Sequence, residues 1–289
     1  MKNEGKKIKV LSDVQKTLDR RGIRIQKVGV REVHLPLQIL TKEGSYQHVL
    51  GNVSLGADLT DKYRGTHLSR FMEILNRWSK KPMSSKEIFK ILNETKEKLQ
   101  TERAELSIHF KYFIGKNAPI TGAAGYLDYD CRFYGVLQGD IFSFVLGADV
   151  PVQTVCPCSK EISDYGAHNQ RALVKIKLEY YPGEFIWLED LISQVESAGS
   201  SGVYPVLKRE DEKFITESSF DNPKFVEDVL RDLVEKFRSD ERIRWFEVEC
   251  DSIESIHNHN AFAYQKEYRP LKENKFQLIP IPELYFMFY

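Results

Sequence analysis

The chain has 289 residues, 42% hydrophobic and 29% charged, the composition of a folded globular protein and not of a disordered one. Its 42 basic residues balance 42 acidic ones, so no overall field draws it toward nucleic acid or an anionic membrane surface. No apolar run approaches the roughly 18 residues of a membrane span, the basic opening segment lacks the apolar centre of a secretory signal, and four cysteines are too few for a disulfide scaffold, which together predict a reduced, cytoplasmic protein.

Residues 1–20 read as a flexible basic tail. Residues 23–37 and 47–59 read as strands, with Gly44-Ser45 a turn between them. Phe71, Ile74, Leu75 and Trp78 have helical spacing, and Ser84 or Ser85 can cap a second helix through Ile88, Ile91 and Leu92. Leu106, Ile108, Phe110, Tyr112 and Ile114 alternate with mostly polar residues, the period of a half-buried strand, and 131–137 predicts another. The order then repeats. Residues 140–150 read as a strand, and Val174, Ile176, Leu178 and Tyr180 alternate with Lys175, Lys177 and Glu179. Leu188, Leu191, Ile192 and Val195 share one helical face. Pro223 suits a first helical position, opening a helix whose stripe runs from Phe225 and Val226 through Val229, Leu230, Leu233 and Val234 to Phe237. Ile243, Trp245 and Val248 return to a strand pattern. Each half therefore reads strand, strand, helix, helix, strand, strand. The expected product is an α+β fold, an antiparallel sheet with helices on one face, divided into modules at 21–139 and 140–289. Three polar loops, 155–171, 197–221 and 256–263, interrupt the pattern and hold most of the candidate chemistry.

In the first of these loops Cys156 and Cys158 precede His168. Thiolate and imidazole are favoured ligands for zinc and related divalent metals; two inert cysteines and a surface histidine are the plainer alternative. His257 and His259 add two imidazoles, one suited to ligation and the other to proton donation. Glu210, Asp211 and Glu212 form an acidic run that could complete a ligand set or simply be solvated. Glu227 sits early in the last helix, away from its main apolar stripe. Thr66, His67 and Arg70 at a helix start form a candidate anion cradle.

The run Cys156-Pro-Cys-Ser-Lys-Glu-Ile-Ser, followed by Tyr165-Gly-Ala-His-Asn-Gln-Arg171, closely resembles the signature of the type IB GTP cyclohydrolase I family. The likeness extends to Gly65-Thr-His-Leu-Ser-Arg-Phe71, Ala118-Pro-Ile-Thr-Gly122, Asp211-Glu-Lys213, Asn222-Pro-Lys-Phe-Val-Glu-Asp228 and Ser255-Ile-His-Asn-His259. Leu68 stands where the family commonly has methionine. The resemblance implies a tunnelling fold of two ββααββ modules and a homotetramer with sites at subunit interfaces. It implies hydrolytic opening of the imidazole ring of GTP, giving 7,8-dihydroneopterin triphosphate and formate, the first step toward tetrahydrofolate and a source of queuosine precursors. The implied cofactor is a divalent metal, manganese or zinc or another such as iron. Its implied ligands are Cys156, His168, Glu212 and His257, with Glu210 an alternative two residues from Glu212. Glu227 resembles the carboxylate that anchors the guanine edge. His259, Cys158 and His67 are candidates for proton transfer, His67 also for substrate contact, and Arg70, Lys160, Arg171, Lys208 and Arg209 for the triphosphate. Two other readings remain open: a nitrile reductase of the same fold acting on a deazaguanine, and a non-catalytic module stabilised by a structural metal.

Overall fold

Alternation along the strands decides which side of the sheet is covered. In the computed structural model, which describes residues 13–269, one cross-sheet row runs through Phe110, Cys131, Ala148, Ile176 and Val248, all buried. The adjacent row runs through Lys111, Asp130, Asp149, Lys175 and Glu249. Neighbouring residues of a strand point to opposite faces, so one face is apolar and the other carries ion pairs. Examples are Lys111–Asp130 at 2.8 Å, Lys175–Glu249 at 2.7 Å and Lys177–Glu247 at 2.9 Å.

The elements in chain order are β1 (Ile25–Leu40), β2 (Tyr46–Leu59), α1 (Leu68–Trp78), β3 (Pro82–Met83), α2 (Ser85–Leu99), β4 (Arg103–Asn117), β5 (Ala124–Gln138) and β6 (Ile141–Val155). They continue with α3 (Pro157–Ile162), β7 (Asn169–Tyr180), α4 (Leu188–Glu196), β8 (Ser201–Gly202), α5 (Arg209–Asp221), α6 (Val226–Ser239), β9 (Ile243–Ile253) and β10 (Asn260–Tyr268). The strands form one sheet in the order β10-β9-β7-β6-β5-β4-β2-β1-β3, with β8 paired to β6. Pairing is antiparallel except where β3 meets β1 over two residues. At the first hairpin Gly44 has φ +80°, a conformation glycine adopts without a Cβ clash.

The apolar face is covered by helices. Phe71, Ile74, Leu75 and Trp78 of α1, Ile88, Ile91 and Leu92 of α2, Leu191, Ile192 and Val195 of α4, and Val229, Leu233 and Phe237 of α6 join one core with the sheet residues. Full burial of each such side chain stabilises by about 1.5–3 kcal/mol. Gly135 permits the approach of α2 to β5, since a Cβ there would collide with Ile88. Among the described residues no helix is long and apolar enough to cross a membrane. The described end of the 1–20 segment is attached to the body: Leu18 bridges Tyr63, and Gly65 N–H donates to Gln15 O at 3.1 Å. Residues 1–12, and 270–289 of the second expected module, lie outside the described residues.

Several boundaries differ from expectation. The 197–221 loop holds α5, which buries only Asp211 and Ser219 and so offers no apolar stripe to detect. Helix α6 opens after Phe225, not at Pro223, because Asp228 Oδ2 accepts the Phe225 N–H at 3.1 Å and closes the helix start there. The 155–171 loop contains α3 and the first residues of β7, and the 256–263 loop ends in β10. That edge strand alternates half-buried and exposed residues, and Phe262, Tyr264 and Tyr268 lie on its open side. Strands β5 and β6 extend beyond the segments expected, through stretches where their apolar alternation weakens.

Candidate active site

Strands β6 and β7 are paired to their ends, Val155 opposite Asn169, so the segment between them returns to the end of the ladder it left. Cys156 and His168 therefore meet at the two ends of one loop. Cys156 N–H donates to His168 O at 3.0 Å. Ser159 ties them further: its Oγ accepts the His168 N–H at 3.1 Å and donates to Cys156 O at 3.3 Å. Cys156 is the N-cap of α3, its Sγ accepting from Ser159 N–H at 3.4 Å. Both Cys156 and His168 are half-buried and Cys158 is exposed. The other two thiols, Cys131 and Cys250, lie in the core, where burial pushes Cys131 up and Cys250 up to about 12. The two accessible thiols are therefore those of the Cys156–His168 loop.

The β9–β10 loop stands beside it, because β9 pairs with β7. His257 and His259 are exposed there with rings stacked at 5.0 Å and 9°. Gln170 connects the loops. Its Oε1 lies 2.9 Å from His168 Nδ1 and accepts from Ser255 Oγ at 3.4 Å, and its Nε2 donates to Glu254 Oε1 at 3.4 Å. Composition and periodicity did not single out Gln170, Glu254 or Ser159, since a polar residue in a polar loop has no period.

Glu210 and Glu212 are exposed on the first turn of α5, while Asp211 between them is fully buried. Asp211 Oδ1 accepts from Ile120 and Thr121 N–H, each at 2.9 Å, and Oδ2 accepts from Thr121 Oγ1 at 2.6 Å and Lys208 N–H at 2.9 Å. It thereby binds the 118–122 turn to the start of α5. Its place three residues after the Lys208 N-cap is the recognisable half of a capping box, a signal legible once α5 is known to be helical. Burial opposes ionisation of Asp211, but the hydrogen bonds from Thr121, Lys208 and Ile120 outweigh it and hold its carboxyl well below the usual range. Such a lowered carboxyl contributes stability fully present above about pH 4 and lost as pH falls through the folded value. Asp211→Asn is expected to lower the melting temperature at neutral pH, with the gap to the parent closing on acidification. A gap constant across a pH series of melting curves would refute this role.

The basic candidates divide. Arg70 donates to Lys98 O at 2.8 Å, capping the end of α2, and Lys160 donates to Phe220 O at 2.5 Å while lying over the Phe220 ring. His67 Nε2 is 3.2 Å from Asp13 Oδ2. Lys208, Arg209 and Arg171 are exposed, and Arg171 borders a hollow lined by Gln153, Asn169, Tyr204 and Leu207. Glu227 is exposed on α6 and lines a different hollow, with Leu230, Arg231 and Gln265. Among the described residues no three histidine, cysteine, aspartate or glutamate side chains gather as a metal-binding group. One chain thus joins the Cys156 and His168 loop ends and leaves Glu212, His257 and Glu227 outside a closed cluster.

The family profile described as type I GTP cyclohydrolase folE2 matches residues 11–263. A protein of Syntrophobacter fumaroxidans described as GTP cyclohydrolase FolE2 is 48% identical over 252 residues, covering 87% of this chain and 97% of the relative. One from Geotalea uraniireducens with the same description is 48% identical over 253 residues, covering 88% and 92%. Among solved structures, uricase from Arthrobacter globiformis superposes with a TM-score of 0.51 at 7% identity, covering 87% of this chain and 96% of that one. A hyperthermostable mutant of Bacillus sp. TB-90 urate oxidase gives 0.51 at 11% identity, covering 85% and 99%. At such identities the likeness concerns the fold, and the fold is the tunnelling fold of the urate oxidases.

Proposed function

The chain belongs to the type I GTP cyclohydrolase folE2 family, and on that premise we propose that Cys156 and His168 hold a divalent metal at the place where the imidazole ring of GTP is opened. The observation that carries this reading is the joining of Cys156 and His168 through Ser159 at the shared end of β6 and β7. A half-buried thiol and imidazole fit a divalent cation of zinc or manganese type. Glu212 and His257 are the further ligands proposed. Bound there, such a metal supplies Lewis acidity and lowers the pKa of water by several units.

The protein's own side chains supply recognition and proton handling. The Glu227 carboxylate accepts from guanine N1–H and the 2-amino group, a pattern that adenine does not offer. His259, stacked on His257, and the exposed Cys158 serve proton transfers as the ring opens, formate leaves and the pterin ring closes. Arg171, Lys208 and Arg209 are the preferred triphosphate partners, because Arg70 and Lys160 already donate to backbone carbonyls. His67 stays a candidate contact through its place at the start of α1.

Assembly completes the site in this reading. The exposure of Glu212, Glu227 and His257, and an edge of β10 that pairs with no further strand among the described residues, support a homotetramer whose copies close the site between them. The two modules are 21–139 and 140–289, the second holding the metal. Free thiols at all four cysteines accord with a reducing cytoplasm, and the product feeds tetrahydrofolate and queuosine precursor synthesis.

Incubation with GTP and manganese or zinc is expected to release formate and a dihydropterin that becomes fluorescent on oxidation. Absence of both products with manganese, zinc and ferrous iron alike would overturn the assignment.

A further inference from the structure

We propose that Gln170 is a positioning residue that holds His168 in the tautomer protonated at Nδ1, so that Nε2 is the nitrogen offered to the metal. The inference rests on the reading of His168 as a ligand and adds which atom binds and what enforces it.

The chain of constraint begins at a carboxylate. Glu254 Oε1 lies 3.4 Å from the Gln170 amide nitrogen, and an ionised carboxylate only accepts hydrogen bonds. Thr154 acts in the same sense: its hydroxyl donates to Gln170 O at 3.5 Å, leaving an oxygen lone pair to accept from Gln170 Nε2 at 3.4 Å. The opposite amide orientation would set a carbonyl oxygen against Glu254 with no proton between them. The NH2 group therefore faces Glu254 and Thr154, and Oε1 faces His168. Ser255 Oγ, donating to the same Oε1 at 3.4 Å, agrees. An amide oxygen 2.9 Å from His168 Nδ1 requires a proton on that nitrogen, which leaves the lone pair on Nε2.

The position of Gln170 is itself fixed by the sheet. It is the direct cross-strand partner of Thr154 in the β6–β7 ladder, and Thr154 is buried. The amide is thus supported on rigid strands, whereas His168 stands just outside β7. Through Glu254 and Ser255 the same side chain also anchors the loop that carries His257. Partners behind a ligating histidine commonly fix its ring and raise its basicity, and their loss costs about 10–100-fold in metal affinity.

The test uses the full chain loaded with zinc and labelled with 15N-histidine. A long-range 1H–15N spectrum should show His168 with hydrogen on Nδ1 and zinc on Nε2; zinc on Nδ1 would overturn the proposal without recourse to any variant. Competition against a chromophoric chelator should show Gln170→Leu binding zinc about 10–100-fold more weakly, with an unchanged circular dichroism spectrum. The paired exchange Gln170→Glu with Glu254→Gln keeps an acceptor toward His168 and a donor opposite it, and is expected to restore the affinity. Failure of that exchange to restore binding in a folded protein counts against the mechanism. His168→Ala separates the two levels. If it binds zinc like the parent, the metal site itself is wrong. If it loses zinc while Gln170→Leu keeps parental affinity, only the role of Gln170 falls.

Discussion

His168→Ala is expected to abolish metal binding and GTP turnover together, with a loss greater than the roughly 10–100-fold that follows removal of a residue behind a ligand. The reason is local. His168 and Cys156 are the sequence-predicted ligands joined by one loop, and alanine leaves the hydrogen bonds from Cys156 N–H to His168 O and from His168 N–H to Ser159 Oγ intact because both use the backbone of residue 168. The loop should therefore keep its shape while losing one donor. Equilibrium dialysis against zinc, alongside a formate assay, separates this from the contrasting Glu227→Ala variant, which is expected to retain metal and lose GTP binding. The reverse pattern would exchange the two roles.

A comparably large effect is expected far from that site. Arg244 on β9 and Glu179 on β7 form a buried ion pair at 3.0 Å, their side chains only 2% and 3% exposed. Ser143 Oγ donates to the same Glu179 oxygen at 2.6 Å, and Arg244 also donates to Tyr268 OH at 3.0 Å, joining β10 to the cluster. Burial pushes the Glu179 carboxyl up, against the pull of Arg244 and Ser143 toward the ionised form. Arg244→Met removes the cation and leaves a buried carboxylate with the hydroxyl alone. The expected cost is about 3–5 kcal/mol in urea unfolding at neutral pH. Because a raised folded pKa means the folded state holds the proton more tightly, this deficit should shrink as pH falls toward the ordinary glutamate value of 4.5. Replacing both partners with apolar residues should recover much of the loss. An Arg244→Met protein as stable as the parent at pH 7 would show that the pair is not held in a dry interior.

The contrast between α6 and α5 explains how much of the architecture could be read in advance. Helix α6 repeats apolar residues every three or four positions because it lies on the sheet, and β4 alternates because one of its faces is covered. Both periods are local, so an antiparallel sheet with helices on one face followed from the chain alone, whereas the expected order of elements missed α3, α5 and β10. Helix α5 fully buries no apolar side chain and is held by Asp211, whose partners Ile120 and Thr121 lie about ninety positions earlier. No window of neighbouring residues contains that bond.

The site divides along the same line. The meeting of Cys156 and His168 follows from one short loop between paired strands; residue types alone left a metal and two inert cysteines open, and the resemblance of the surrounding blocks supplied the expected ligands and reaction. Which nitrogen of His168 is free was not legible, since it depends on Gln170 being oriented by Glu254, 84 positions further along and brought near only by the pairing of β7 with β9. Local chemistry and periodicity are written in adjacent residues. Tautomer, amide orientation and the fate of each exposed or buried charge are settled by partners that only folding brings within hydrogen-bond reach.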